Sequence, residues 1–202
     1  MGRIVYVGLD VSSQDWSSFV LLFPPPPGEE NRHHRASFHF FVPEETIQSG
    51  SADFSQWNNR FTVMPGEVVD YDFILTQIRN AVQSYPRSPI GVDPWGPLYL
   101  RSALELNGLK ADNIKMSYDD MFAPTMRMRL LIESGMLATD NPVFDWMLGN
   151  LRLMQRADGC IKPDVSHSTG CISGVLSLIR ALAAMMKDES LPQPATPVTS
   201  TV

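Results

Sequence analysis

The sequence predicts an α/β domain built on an open sheet, and three observations carry that prediction. Two short apolar runs each close on an aspartate: Ile4-Val5-Tyr6-Val7-Gly8-Leu9 delivers Asp10, and Pro89-Ile90-Gly91-Val92 delivers Asp93. Both read as buried strands that stop on a carboxylate. Phe19–Phe23 and Ala36–Val42 are two more strand-like runs on short connections, which makes a meander at the start of the sheet. After them, segments with apolar residues at helical spacing alternate with the remaining strand signals, the pattern of an α/β fold.

Taken in order, 4–9 is the first strand and 19–23 the second, antiparallel to it through a hairpin over 10–18. Pro24 to Pro27 end the second strand, because proline cannot donate to a ladder. A polar turn over 29–35 follows, with His33 and His34 expected in solvent, and then the third strand over 36–42. A surface stretch runs from Pro43 to Gly50, and a short helix over 53–59 carries Trp57. Phe61–Gly66 is an extended segment and turn, after which Asp70 caps a helix over 71–84 with Ile74, Ile78, Ala81 and Val82 on one face. Asp70 and Asp72 are carboxylates at that helix start, where each adds about 0.3–1 kcal/mol.

The fourth strand is 89–92. A helix over 97–107 stops at Gly108, and Ile114-Lys115-Met116 is a short fifth strand. Pro124 to Ser134 forms a helix closed by Gly135, and another starts at Asn141 with Pro142 early in it. A polar loop over 158–170 leads to the last helix, 172–187, which is apolar on most sides and so expected to be buried. The domain is expected to span 1–190, with an uncharged Pro/Thr/Ser-rich disordered tail over 191–202.

With 202 residues the chain is long enough for one domain with a full core. A net charge of −6 argues against a broadly basic nucleic-acid surface. Arg127 and Arg129, then Arg152 and Arg156, are the nearest approach to a basic patch, and solvated helix charges explain them as well. No export signal or membrane span is visible, so reduced thiols in a cytosolic protein are expected of the two cysteines. Cys160, His167 and Cys171 match no paired zinc spacing and lack a fourth ligand. Trp57, Trp95 and Trp146 are expected as core or groove-wall residues. Trp95 follows Asp93 so closely that it is the best candidate to stack on a base.

The order of motifs resembles the nuclease domain of large terminase subunits of tailed phages. The resemblance begins with Gly8-Leu9-Asp10-Val11-Ser12-Ser13 and Asp15-Trp16-Ser17-Ser18-Phe19, and continues through Phe41-Val42-Pro43-Glu44-Glu45. Pro65-Gly66, Val69-Asp70-Tyr71-Asp72 and Ile74 come next, then Asp93-Pro94-Trp95 and Gly135-Met136-Leu137. Asn141-Pro142-Val143, Trp146-Met147, Asn150, Ile161-Lys162-Pro163 and the helix over 172–182 complete it. It implies an RNase H-like fold: a central mixed sheet, three-strand meander plus parallel strands, with helices on both faces.

It also implies a divalent-metal-dependent endonuclease that cuts concatemeric genome DNA during head filling. Two ions, Mg²⁺ or Mn²⁺, would be held by Asp10 and Asp93, since hard cations want carboxylate oxygens. The implied partners are double-stranded DNA, the portal, and the terminase ATPase and small subunit, in the host cytoplasm of a phage or prophage. Trp95, Arg127 and Arg129 are the weak DNA-contact candidates.

Two departures qualify that expectation. The family's third acidic ligand lies in an Ile-Asp-Gly signature at the start of the last helix, and here the stretch reads Ile172-Ser173-Gly174. Ser173 is a neutral, weaker ligand, so cleavage is expected to be impaired. Val165 also stands where the family usually has a lysine. Asp164 and His167 are the candidates to replace the missing acid. Secondly, no G-x-x-x-x-G-K-[ST] loop occurs, so no ATP site is expected, and the chain reads as an excised domain or the product of a split or decayed gene. The rival reading is a non-catalytic DNA- or portal-docking module on the same fold.

Overall fold

The computed structural model describes residues 4–12, 15–49, 54–57, 59–96, 98–139 and 141–190. The sequence-predicted tail over 191–202 lies outside them. At the centre of the fold is β1 (Tyr6–Asp10), flanked by antiparallel β2 (Ser17–Phe23) and parallel β5 (Ile90–Val92). β3 (His34–Pro43) continues the meander, and β4 (Thr62–Met64) and β7 (Leu137–Ala138) both pair with it in parallel. β6 (Ala111–Asn113) closes the other edge, giving the order β4-β3-β2-β1-β5-β6. The sheet is mixed, as expected.

Strand periodicity sorts side chains to two faces. Val5, just before β1, and Val7 and Leu9 within it enter a core closed by α2 (Tyr71–Val82) and α3 (Leu98–Leu106), through Ile74, Ile78 and Leu104. Tyr6 enters the opposite core, which is covered by α4 (Tyr118–Glu133), α5 (Pro142–Asn150) and α6 (Ser173–Glu189). Because β1 is covered on both sides, its sequence is a continuous apolar run instead of an alternation.

Helix starts follow capping chemistry. Asp70 accepts from the Phe73 N–H at 3.1 Å and Asn141 from the Val143 N–H at 3.0 Å, each satisfying one of the donors that a first helical turn leaves open. Ser117 does the same for α4 through the Asp120 N–H at 3.2 Å. That helix therefore begins six residues before Pro124 and carries the proline in its interior, where the sequence reading had placed its start.

Several other expectations are corrected. Glu44–Ser49 is a short helix, α1, where a surface stretch was expected. The strand expected at 114–116 is β6 at 111–113, fixed by the Ile90↔Ala111 register. The polar loop over 158–170 is preceded and entered by a hairpin, β8 (Leu153–Gln155) with β9 (Ile161–Pro163). The short helix around Trp57 is a single 3₁₀ turn, Ser55–Trp57. His34 is buried at 5 % exposure, because it opens the inward face of β3 and donates its backbone N–H to Met136.

One contact decides where the site forms. A Cβ on Gly8 would lie 1.7 Å from the Ser177 carbonyl oxygen, and one on Gly91 2.3 Å from the Arg180 carbonyl oxygen. The backbone of α6 rests directly on the backbones of β1 and β5, and only glycine leaves room for it. Trp16, Phe54, Trp57, Phe61 and Trp146 form an aromatic cluster beside this core, so Trp57 and Trp146 serve packing.

Candidate active site

β1 and β5 are parallel neighbours, so their carboxyl ends share one rim of the sheet, the usual place for a ligand in an open α/β sheet. Asp10 is the last residue of β1 and Asp93 follows the last residue of β5. The two side chains meet through a third residue. Arg180, on α6, donates one Nη1–H to Asp10 Oδ1 and its Nη2–H to Asp93 Oδ2 at 2.7 Å. Nη1 also reaches the Leu9 carbonyl at 3.3 Å. The Arg180 side chain is 1 % exposed, whereas those of Asp10 and Asp93 are 18 % and 25 % exposed. One buried guanidinium thus spans two half-buried carboxylates, and its Nε has no partner among the described residues.

The loops around the pair are fixed locally. The second oxygen of Asp93 accepts from the Trp95 N–H at 2.9 Å, and the Asp93 carbonyl accepts from the Gly96 N–H at 3.1 Å. Ser17, buried, donates to the Ser12 carbonyl and accepts from the Ser12 N–H, which holds the chain leaving Asp10. A cleft of about 160 Å³ opens beside the carboxylates, lined by Leu9, Asp10, Val11, Val92, Asp93, Trp95, Gly96, Leu100 and Arg101. Trp95 stands at its edge, 85 % exposed.

Ser173 comes to the same rim. Its Oγ lies 2.9 Å from Ser18 Oγ and donates weakly to the Asp10 carbonyl at 3.5 Å. Ser18 pairs across the ladder from Asp10 and bonds on to Ser177, which donates to the Gly174 carbonyl at 3.0 Å. These hydroxyls are buried and satisfy one another.

Asp164 and His167 are turned to each other, with His167 Nδ1 2.9 Å from Asp164 Oδ2 and the His167 N–H donating to Asp164 Oδ1. Among the described residues no three His, Cys, Asp or Glu side chains form a group able to hold a metal ion, so these two do not complete one with Asp10 and Asp93. Burial pushes the Cys171 thiol well above its ordinary range, which disfavours a thiolate ligand there. Of the basic candidates, Arg129 pairs with Glu133 at 2.6 Å, and the Arg127 charge, after burial, helps hold the His34 imidazole below its ordinary pKa.

The residue that sequence reasoning missed is Arg180. Its signal was present: an arginine in the middle of a helix read as buried needs an acidic partner.

The terminase large subunit endonuclease domain family matches residues 1–189. The chain belongs to that family. Protein YmfN of Escherichia coli (strain K12) is 29 % identical over 160 residues, covering 73 % of the chain and 35 % of YmfN. The HK97 bacteriophage large terminase has the same fold, with a TM-score of 0.79 at 22 % identity over 91 % of the chain and 40 % of that protein. The large terminase nuclease from thermophilic phage G20c, solved with bound magnesium, superposes with a TM-score of 0.59 at 18 % identity, covering 90 % of the chain and 81 % of that nuclease. Structures of the same G20c nuclease hold cobalt or zinc. The chain therefore has the RNase H-like architecture of terminase nucleases and spans well under half of YmfN and of the HK97 enzyme. None of the helices in its described residues is long and apolar enough to cross a membrane.

The residues of this terminase domain do not fit a pair of divalent cations. Two such ions bring four positive charges, and the rim offers two carboxylates. One oxygen of each is already bonded to a guanidinium, and the Ser173 hydroxyl that reaches the same rim is neutral and bonded to another hydroxyl.

Proposed function

We propose that the chain is the nuclease-fold module of a phage packaging terminase, that it docks on double-stranded DNA and on the packaging machinery, and that it does not cut the DNA. The observation that carries this reading is the donor set at the rim: Ser173 stands third beside Asp10 and Asp93, inside a network of serine hydroxyls. The partners implied are duplex DNA, the portal, and the terminase ATPase and small subunit. Trp95 and Arg101 on the cleft are the nearest groups for a DNA backbone or an unstacked base. Arg127 and Arg129 on α4 would meet DNA only on a separate surface, since the Arg127 charge acts on His34 at the opposite end of β3 from the rim.

The test is incubation of supercoiled plasmid with the protein in Mg²⁺ and in Mn²⁺, beside fluorescence anisotropy with a duplex oligonucleotide. The expected result is intact plasmid and salt-sensitive duplex binding. Mn²⁺-dependent nicking that disappears in Asp10→Ala would establish the second reading, a weakened metal-dependent endonuclease. The convergence of Asp10 and Asp93 on one rim favours that reading.

A further inference from the structure

α6 carries Ser173, Ser177 and Arg180 toward the sheet, and their spacing of four and seven residues places all three on one side of the helix. The backbone contacts at Gly8 and Gly91 hold that side at a fixed height against β1 and β5. Ser173 therefore meets the rim from the helix start, and Arg180 reaches it from below, two turns on.

A guanidinium stays protonated at any ordinary pH, and its planar fork can serve two carboxylates at once. At 1 % exposure it needs compensating charge, which among the described residues the two rim acids are bonded to provide. The same two acids are the groups that a divalent cation would need.

We infer that Arg180 is the resident cation of this site. Its guanidinium takes one oxygen of each carboxylate, so an ion entering the cleft would meet two acids already neutralised from within by a charge that no chelator removes. Ser173 and Arg180 act together: the first withholds a negative charge and the second adds a positive one. Restoring the acid by Ser173→Asp alone then gives Arg180 one more anion nearby and leaves the site shut to metal. Opening it requires Arg180→Met as well. This inference rests on the reading that the domain does not cut.

The test is a Mn²⁺ titration followed by electron paramagnetic resonance, on wild type, Ser173→Asp, Arg180→Met and the double variant, each beside its Asp10→Asn counterpart. Wild type and Ser173→Asp are expected to show no Asp10-dependent Mn²⁺ binding. The double variant is expected to bind Mn²⁺ at least about tenfold more tightly than any background binding by Ser173→Asp, and to lose that gain with Asp10→Asn. Circular dichroism with and without Mn²⁺ runs in parallel. A double variant that folds only when Mn²⁺ is supplied counts as binding, and one that stays unfolded in Mn²⁺ counts against the inference. Asp10-dependent Mn²⁺ binding by wild type overturns it outright. A folded double variant that binds no Mn²⁺ overturns it while leaving the non-cutting reading in place, whereas plasmid cleavage by wild type removes that reading itself.

Discussion

Asp10→Asn separates a metal rim from a guanidinium clasp by the sign of its effect on stability. In a rim built for cations, two carboxylates without their ions repel, so neutralising one stabilises the fold. Here the pair already holds a positive charge that is 1 % exposed. Removing one partner of a buried ion pair costs about 3–5 kcal/mol. Three features lower that figure. Asp93 still holds Nη2 at 2.7 Å, asparagine keeps an acceptor oxygen, and the Asp10 side chain is 18 % exposed. A loss of about 2–3 kcal/mol is expected, and with a Tm change of about 2–4 °C per kcal/mol for a chain of this size, the midpoint should fall by about 5–10 °C. The assay is thermal unfolding by far-ultraviolet circular dichroism at pH 7 with EDTA. Asp93→Asn should move the same way. In a double-mutant cycle with Arg180→Met, the Asp10→Asn cost should shrink, because the charge it leaves stranded is gone. An Asp10→Asn protein whose Tm equals or exceeds that of wild type would refute the clasp.

Two further outcomes follow from the packing and from two desolvated imidazoles. Gly8→Ala places a methyl group 1.7 Å from the Ser177 carbonyl and 2.5 Å from the Ala181 nitrogen, so α6 must lift; a loss of about 3 kcal/mol or more is expected in urea unfolding. Gly149→Ala, in a helix with open space around it, is the control and should stabilise slightly. His34 and His39 both titrate below the ordinary histidine value, burial being the main cause. The unfolded chain therefore takes up protons near pH 6.5 that the folded chain resists, and stability is lost as pH falls below that point. The urea midpoint should drop between pH 7 and pH 5, and His39→Gln should flatten the slope.

The elements legible in the sequence were those whose local chemistry agrees with the fold. β1, β2, β3 and β5 are apolar runs bounded by Asp, Pro or polar turns, and α2 and α5 announce themselves through Asp70 and Asn141. The rim itself was also legible, since two strands that end on aspartate and lie parallel must present them together. Most of the misses come from long-range pairing, and one from a local cap. β7 is a two-residue strand that exists because β3 extends far enough to meet it. β6 slid three residues from its expected place because its register is set by β5. Pro124 looked like a helix start because proline tolerates that position, yet the Ser117 cap governs α4. Arg180 was hidden for a related reason. Its spacing on α6 was visible, but its neighbours come from residues 170 and 87 positions away.

The glycine-mediated seating of α6 also constrains how such a domain diverges. With two main chains touching, the helix has no freedom to slide or rotate, so each position along its inner side has a permanent address on the strands below. Chemistry at the rim can then change only by exchanging the occupant of an address. Ser173 and Arg180 are two such occupants: one brings a neutral hydroxyl to the edge and the other a cation that two aspartates neutralise, and the same immobile helix carries both.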